Sequence, residues 1–126
     1  MDSIAPNLFV ADMATSIEFY ERLGFTRTMS VPEAAPFVWA MLTNGRVSVM
    51  LQTMESLADE LPPISRAGGG SLLLYINLHN IQAYFKRLEQ AVPILKGLEK
   101  TFYGATEFSV ADPDGFVITF AEHEAG

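Results

Sequence analysis

The sequence repeats itself, and no other feature constrains its fold as much. The run from Pro6 to Ala11, PNLFVA, has strand composition, and Asp12 follows as a helix N-cap. Met13, Ile17, Tyr20 and Gly24 then recur at helical spacing through MATSIEFYERL. The layout returns in SLLLYINLH from Ser71 to His79, with Asn80 as the next cap and Ile81, Phe85, Leu88 and Val92 at helical spacing. Each of these five pairs, from Asp12 and Asn80 to Gly24 and Val92, stands 68 residues apart. Later, Asn44-Gly45 precedes RVSVMLQ and Asp114-Gly115 precedes FVITFAE at an offset of 70.

Each half is therefore expected to form a strand, a helix and three further strands. FTRTMSVPE, PFVWAMLT and RVSVMLQT supply these strands in the first half, and VPILKGLEK, TEFSVAD and FVITFAEH supply them in the second. Between the halves lies MESLADELPPISRAGGG, where Pro62-Pro63 and Gly68-Gly69-Gly70 signal a linker with room for one helical turn before the prolines. The triple glycine lacks phosphate-loop spacing and reads as flexible linker. The expected class is α+β, with module one at 1–53, a linker at 54–70 and module two at 71–126, all in one domain of 126 residues.

Composition excludes several functions. Eight basic residues against 15 acidic ones leave a net charge of -7, which repels a phosphate backbone, so no nucleic-acid partner is expected. The absence of cysteine removes disulfides, thiol nucleophiles and cysteine-held metals. No run of 18 apolar residues occurs, so no membrane span is expected, and the start MDSIAPNLFVAD carries no basic export signal. A cytoplasmic location is the resulting expectation. No GxSxG or HExxH motif is present, and Asp112 and Asp114 in DPDG read first as turn residues.

PNLFVADMATSIEFYERLGF and YGATEFSVADPDGFVITFAE resemble the opening and closing segments of the vicinal oxygen chelate superfamily, which includes glyoxalases, extradiol dioxygenases and bleomycin-resistance proteins. The resemblance runs through nearly the whole chain except the linker. It implies two βαβββ modules whose mixed sheets curl into a cup, often completed by a second subunit, and hence a homodimer. Enzymes of the family hold a divalent metal at four inward positions. Those positions fall here on Ala5, Leu73, Thr119 and, counting from Gly45, Val49, with Ser48 or Met50 one residue away. Such side chains do not make a metal site, so neither metal nor cofactor is expected.

If those positions face the cup, strand alternation puts Asn7 and Phe9 beside Ala5, Tyr75 and Asn77 beside Leu73, and Val117 and Ala121 beside Thr119. Pairing across DPDG adds Phe108 opposite Thr119, while Tyr103 and Glu107 fall where the family's pocket rim is often found. The ligand-binding set is thus Asn7, Phe9, Tyr75, Asn77, Tyr103, Glu107, Phe108 and Thr119, with no catalytic residue assigned. Phe9, Tyr75 and Phe108 can stack a flat ligand or fill the interior. Trp39, opposite Met50 on the face away from Val49, reads as helix-side core. His79 and His123 read as ordinary loop or surface residues, and nothing in the spacing joins Gln52, Glu55 or Glu122 into a site. The leading function is metal-independent sequestration of an aromatic or cationic small molecule, as in bleomycin resistance. The competing readings are a lyase, isomerase or dioxygenase-like enzyme with an atypical site, and a structural or regulatory partner whose cup is filled by its own side chains.

Overall fold

The computed structural model describes residues 1–124. Its contacts divide the chain into two units, Met1–Gly68 and Gly69–Gly126.

The first unit contains β1 (Asn7–Val10), α1 (Met13–Leu23), β2 (Thr26–Val31), β3 (Trp39–Asn44), β4 (Val47–Thr53) and a short α2 (Met54–Leu57). The strands form one sheet in the order β1-β4-β3-β2. β1 runs parallel to β4, and the other pairs are antiparallel. Alternation decides the two faces. Leu8, Val10, Ala40, Leu42, Val49 and Leu51 are buried on one side, where α1 contributes buried Met13, Ile17, Tyr20 and Leu23. Each large aliphatic side chain sealed there contributes about 1.5–3 kcal/mol relative to exposure. Asp12 starts α1 as expected, with Oδ1 accepting the Thr15 N–H at 3.2 Å. Gly24 ends it at φ 113°, a left-handed position where a Cβ would be strained.

The linker is more ordered than expected. Thr53 caps α2 through its hydroxyl, which accepts the Ser56 N–H. The Arg66 guanidinium then donates to the carbonyls of Ala58, Glu60, Leu61 and Ile64 at 2.6–3.1 Å. Gly69 is buried, and a Cβ at this residue would lie 2.7 Å from the Gly115 carbonyl oxygen.

The second unit contains β5 (Leu73–Asn77), α3 (Ile81–Leu88), β6 (Lys96–Lys100), β7 (Ala105–Ala111) and β8 (Val117–His123). Its sheet order, β5-β8-β7-β6, reproduces that of the first unit position for position. The core beneath α3 is aromatic: Phe108 packs on Phe85 and Phe120 with centroids 5.0 and 5.1 Å away, and Tyr84 meets Phe120 at 5.0 Å. Burial raises the Tyr84 hydroxyl pKa to about 12.

Two local expectations are corrected here. Asn80 occupies the cap position in a left-handed conformation, φ 59°, but its side chain makes no capping bond. The carboxylate of Glu122, carried in from β8, takes the N–H groups of Ile81 and Asn80 at 3.1 and 3.0 Å instead. The helix also ends at Leu88, so Val92 is buried in the turn beyond it.

Candidate functional site

The face of the second sheet turned away from α3 carries the polar cluster. Register places Tyr75 beside Thr119, Thr119 beside Ser109, and Ala121 beside Glu107. Thr119 and Ala121 on the intervening β8 are small enough for the Tyr75 phenol to cross that strand. Its hydroxyl donates to Glu107 Oε2 in a short hydrogen bond. Tyr103, in the turn before β7, donates to the same oxygen at 2.7 Å. The Tyr75 hydroxyl also lies 3.0 Å from His123 Nε2. With its own proton committed to Glu107, that hydroxyl accepts from His123, which requires a proton on Nε2. The His123 ring sits 6.0 Å from Tyr75 and 6.4 Å from Tyr103.

These contacts set the charge of the site. Desolvation pushes the Glu107 carboxyl up, but the two phenol hydrogen bonds, followed by the charges of His123 and Lys96, bring it below its ordinary 4.5. The Tyr75 hydroxyl is raised well above 10, first by its bond to Glu107 and then by desolvation, and Tyr103 is raised for the same leading reason. At neutral pH the cluster is one carboxylate held by two protonated phenols, on a face where Tyr75 and Tyr103 are 42% and 51% exposed.

The corresponding face of the first sheet carries Asn7 and Phe9 with Met50, Gln52, Trp39 and Met41. Register sets them in two transverse rows, Asn7-Met50-Met41-Met29 and Phe9-Gln52-Trp39-Val31. Trp39, expected in the core, stands instead on this half-buried face. It shares the face of Met50, away from Val49, as expected, but its partner across the strands is Gln52, and Met50 pairs with Met41. Val49 is the residue that turns toward α1, at 2% exposure. Gln52 joins a site as well, because its Oε1 accepts from Asn7 Nδ2 at 2.9 Å.

Phe108 requires the opposite correction. It pairs with Phe120, and Ser109 pairs with Thr119, so Phe108 faces α3 at 1% exposure and lines no open surface. The cause lies in the DPDG loop. Asp112 Oδ1 accepts the N–H groups of Asp114 and Phe116, both at 2.9 Å, leaving five residues between paired Ala111 and Val117. An odd loop shifts the register by one and reverses the face. Thr119 does share the face of Tyr75, but it is only 6% exposed and its hydroxyl lies 2.8 Å from that of Ser109. Asn77 is exposed on the same face, next to a cleft of about 280 Å³ lined with His79, Glu122 and His123.

A family profile matches residues 1–120: the Glyoxalase/Bleomycin resistance protein/Dioxygenase superfamily. The chain belongs to that superfamily. No curated protein sequence matches it. Among solved structures it is similar to TioX from Micromonospora sp. ML1, with 20% identity, TM-score 0.78, and 98% of this chain and 100% of that one covered. It is also similar to a virulence protein from Salmonella typhimurium, at 26% identity, TM-score 0.73 and 98% coverage of each chain. A bleomycin-binding protein complexed with bleomycin shares 21% identity and TM-score 0.71, covering 98% of this chain and 100% of that one. The α+β class and the two tandem βαβββ modules expected from the sequence are the fold of this superfamily, built here as two mixed four-stranded sheets.

Other kinds of side chain occupy the superfamily's metal positions in this chain. Ala5 precedes β1, Leu73 is an exposed hydrocarbon, and Thr119 is engaged by Ser109. On β4 the face shared with Asn7 presents Met50, not Val49. Three apolar side chains and a threonine hydroxyl do not fit a hard or borderline divalent ion. Among the described residues, no three histidine or carboxylate side chains group around such a point. No helix there is long and apolar enough to cross a membrane.

Proposed function

We propose that this chain is a metal-independent binding protein for a small aromatic cation, acting as a homodimer in the cytoplasm. The observation that carries the proposal is the Glu107 carboxylate, fixed by the Tyr75 and Tyr103 hydroxyls on an exposed aromatic face. A pinned anion beside π faces attracts a flat cation through ion pairing and cation-π contact. Bleomycin bound to a protein of this fold supports a drug-sized ligand, and sequestration of such a molecule would give resistance to it. The lyase, isomerase or dioxygenase reading receives less support. A carboxylate held below its ordinary pKa and a phenol held above its own are poorly matched to proton transfer near neutrality.

Calorimetry with 9-aminoacridine as the planar cation tests the reading. Binding near micromolar Kd is expected, and Glu107→Gln should weaken it about tenfold by removing the charge while keeping both phenol contacts. Because Glu107 is held below 4.5, the wild-type affinity should persist from neutral pH down to that value and fall only below it. An unchanged affinity in Glu107→Gln would remove the ion-pair role. Stoichiometric, tight uptake of manganese or zinc would overturn metal independence.

A further inference from the structure

Among the described residues, one buried side-chain polar atom has no hydrogen-bond partner, and it is Asn7 Oδ1. Such atoms are rare in folded proteins because an unpaired buried acceptor is costly. The amide cannot be turned over to relieve it. Ser56 Oγ donates its only proton to the Thr53 carbonyl at 2.8 Å, so toward Gln52 it can only accept. Gln52 therefore presents Nε2 to Ser56, at 3.1 Å, and Oε1 to Asn7. Asn7 must answer with Nδ2, which leaves Oδ1 as the open end of a chain whose direction is set at a backbone carbonyl. The other N–H of Asn7 cannot help, since an acceptor needs a donor.

The surroundings match a particular kind of ligand. Asn7 heads the row Asn7-Met50-Met41-Met29, and Phe9 and Trp39 lie in the adjacent row. Three of the six methionines of the chain therefore share one sheet face with its single tryptophan. Methionine is unbranched and polarizable, and it rearranges around flat apolar bodies at low cost. Asn7 Oδ1 is closed off from solvent, so a donor reaches it only as neighbouring side chains move aside, and register puts Met50 next to it.

We infer that Asn7 Oδ1 is a recognition point for an N–H or O–H donor on a flat apolar ring seated against Phe9, Trp39, Met41 and Met50. The free protein already bears the cost of a dehydrated acceptor. A donor arriving there forms a hydrogen bond without displacing one to water, whereas a ring lacking the donor leaves the oxygen as it was. Selectivity for the donor-bearing ring should be about tenfold or more. The inference extends the ligand-binding reading by adding a group that the ligand must carry, and it does not depend on Glu107.

The test uses the full chain with ¹³C-methyl methionine, titrated with indole and with 1-methylindole, which differ in the N–H alone. Indole should shift the Met41 and Met50 methyl resonances and leave that of Met13, on α1, in place. 1-Methylindole should bind at least about tenfold more weakly, and the difference should disappear in Asn7→Leu. The wild-type comparison decides the question even if that variant does not fold. Equal affinity for the two indoles would overturn the role of Asn7 while leaving a ligand face intact. Failure of both to move Met41 and Met50 would overturn the seat itself, and the 9-aminoacridine experiment would still judge Glu107 separately.

Discussion

The Glu122 carboxylate performs a task that the residue at the helix cap leaves undone. It binds the backbone N–H groups of Ile81 and Asn80, which lower its pKa in that order of importance, with His79 adding a smaller contribution. A carboxyl whose pKa is depressed by folding contributes its stability above the unfolded value and loses it as pH falls through the folded value. Thermal unfolding of Glu122→Gln should therefore show a lower midpoint than wild type from neutral pH down to about 5, with the two converging as pH falls through the lowered folded value. A difference that stays constant across this range would mean that the charge plays no part. At Phe108 the consequence lies in packing. Touching Phe85 and Phe120 at 1% exposure, it should cost about 3–5 kcal/mol when truncated to alanine, measured by urea denaturation. A mild loss with altered ligand binding would return Phe108 to the pocket.

Among the elements, the segment between the two βαβββ patterns departs most from its composition. Prolines, serines and three glycines suggest a tether, yet Arg66 gathers four carbonyls from Ala58 to Ile64. Such a fork of N–H groups replaces the regular backbone pairing that a proline-rich stretch cannot supply. Arg66→Ala should speed amide hydrogen exchange across 58–66 at least about tenfold, with β3 and β4 protection unchanged. Equal exchange in the two proteins would show that the segment holds its shape without the guanidinium. Gly69 explains why glycine is needed at the end of this run: at φ 79° and against the Gly115 carbonyl, no side chain fits.

For the whole molecule, the proposed homodimer rests on surface that a lone chain leaves to water. Met29, Val31, Leu73, Leu95 and Phe102 are all more than half exposed, and β2, β5 and β6 stand at sheet edges. Sedimentation at micromolar concentration should give a species near twice 13.9 kDa; a single 13.9 kDa boundary would refute the dimer. The sequence alone determined the two βαβββ patterns, the Asp12 cap and every strand, because apolar period, cap chemistry and turn residues are local and occur twice. It also determined that Asn7, Phe9, Tyr75 and Asn77 share faces with one another along their own strands, since alternation follows from the pleat. Tertiary structure alone decided which strands lie side by side and in what register. The odd DPDG loop that turned Phe108 inward, the crossing of Tyr75 over β8 to Glu107, the recruitment of His123 and the Asn7-Gln52-Ser56 chain all depend on that register. Residues 45 or 32 positions apart meet because backbone hydrogen bonds align their strands, and neither composition nor periodicity records that alignment.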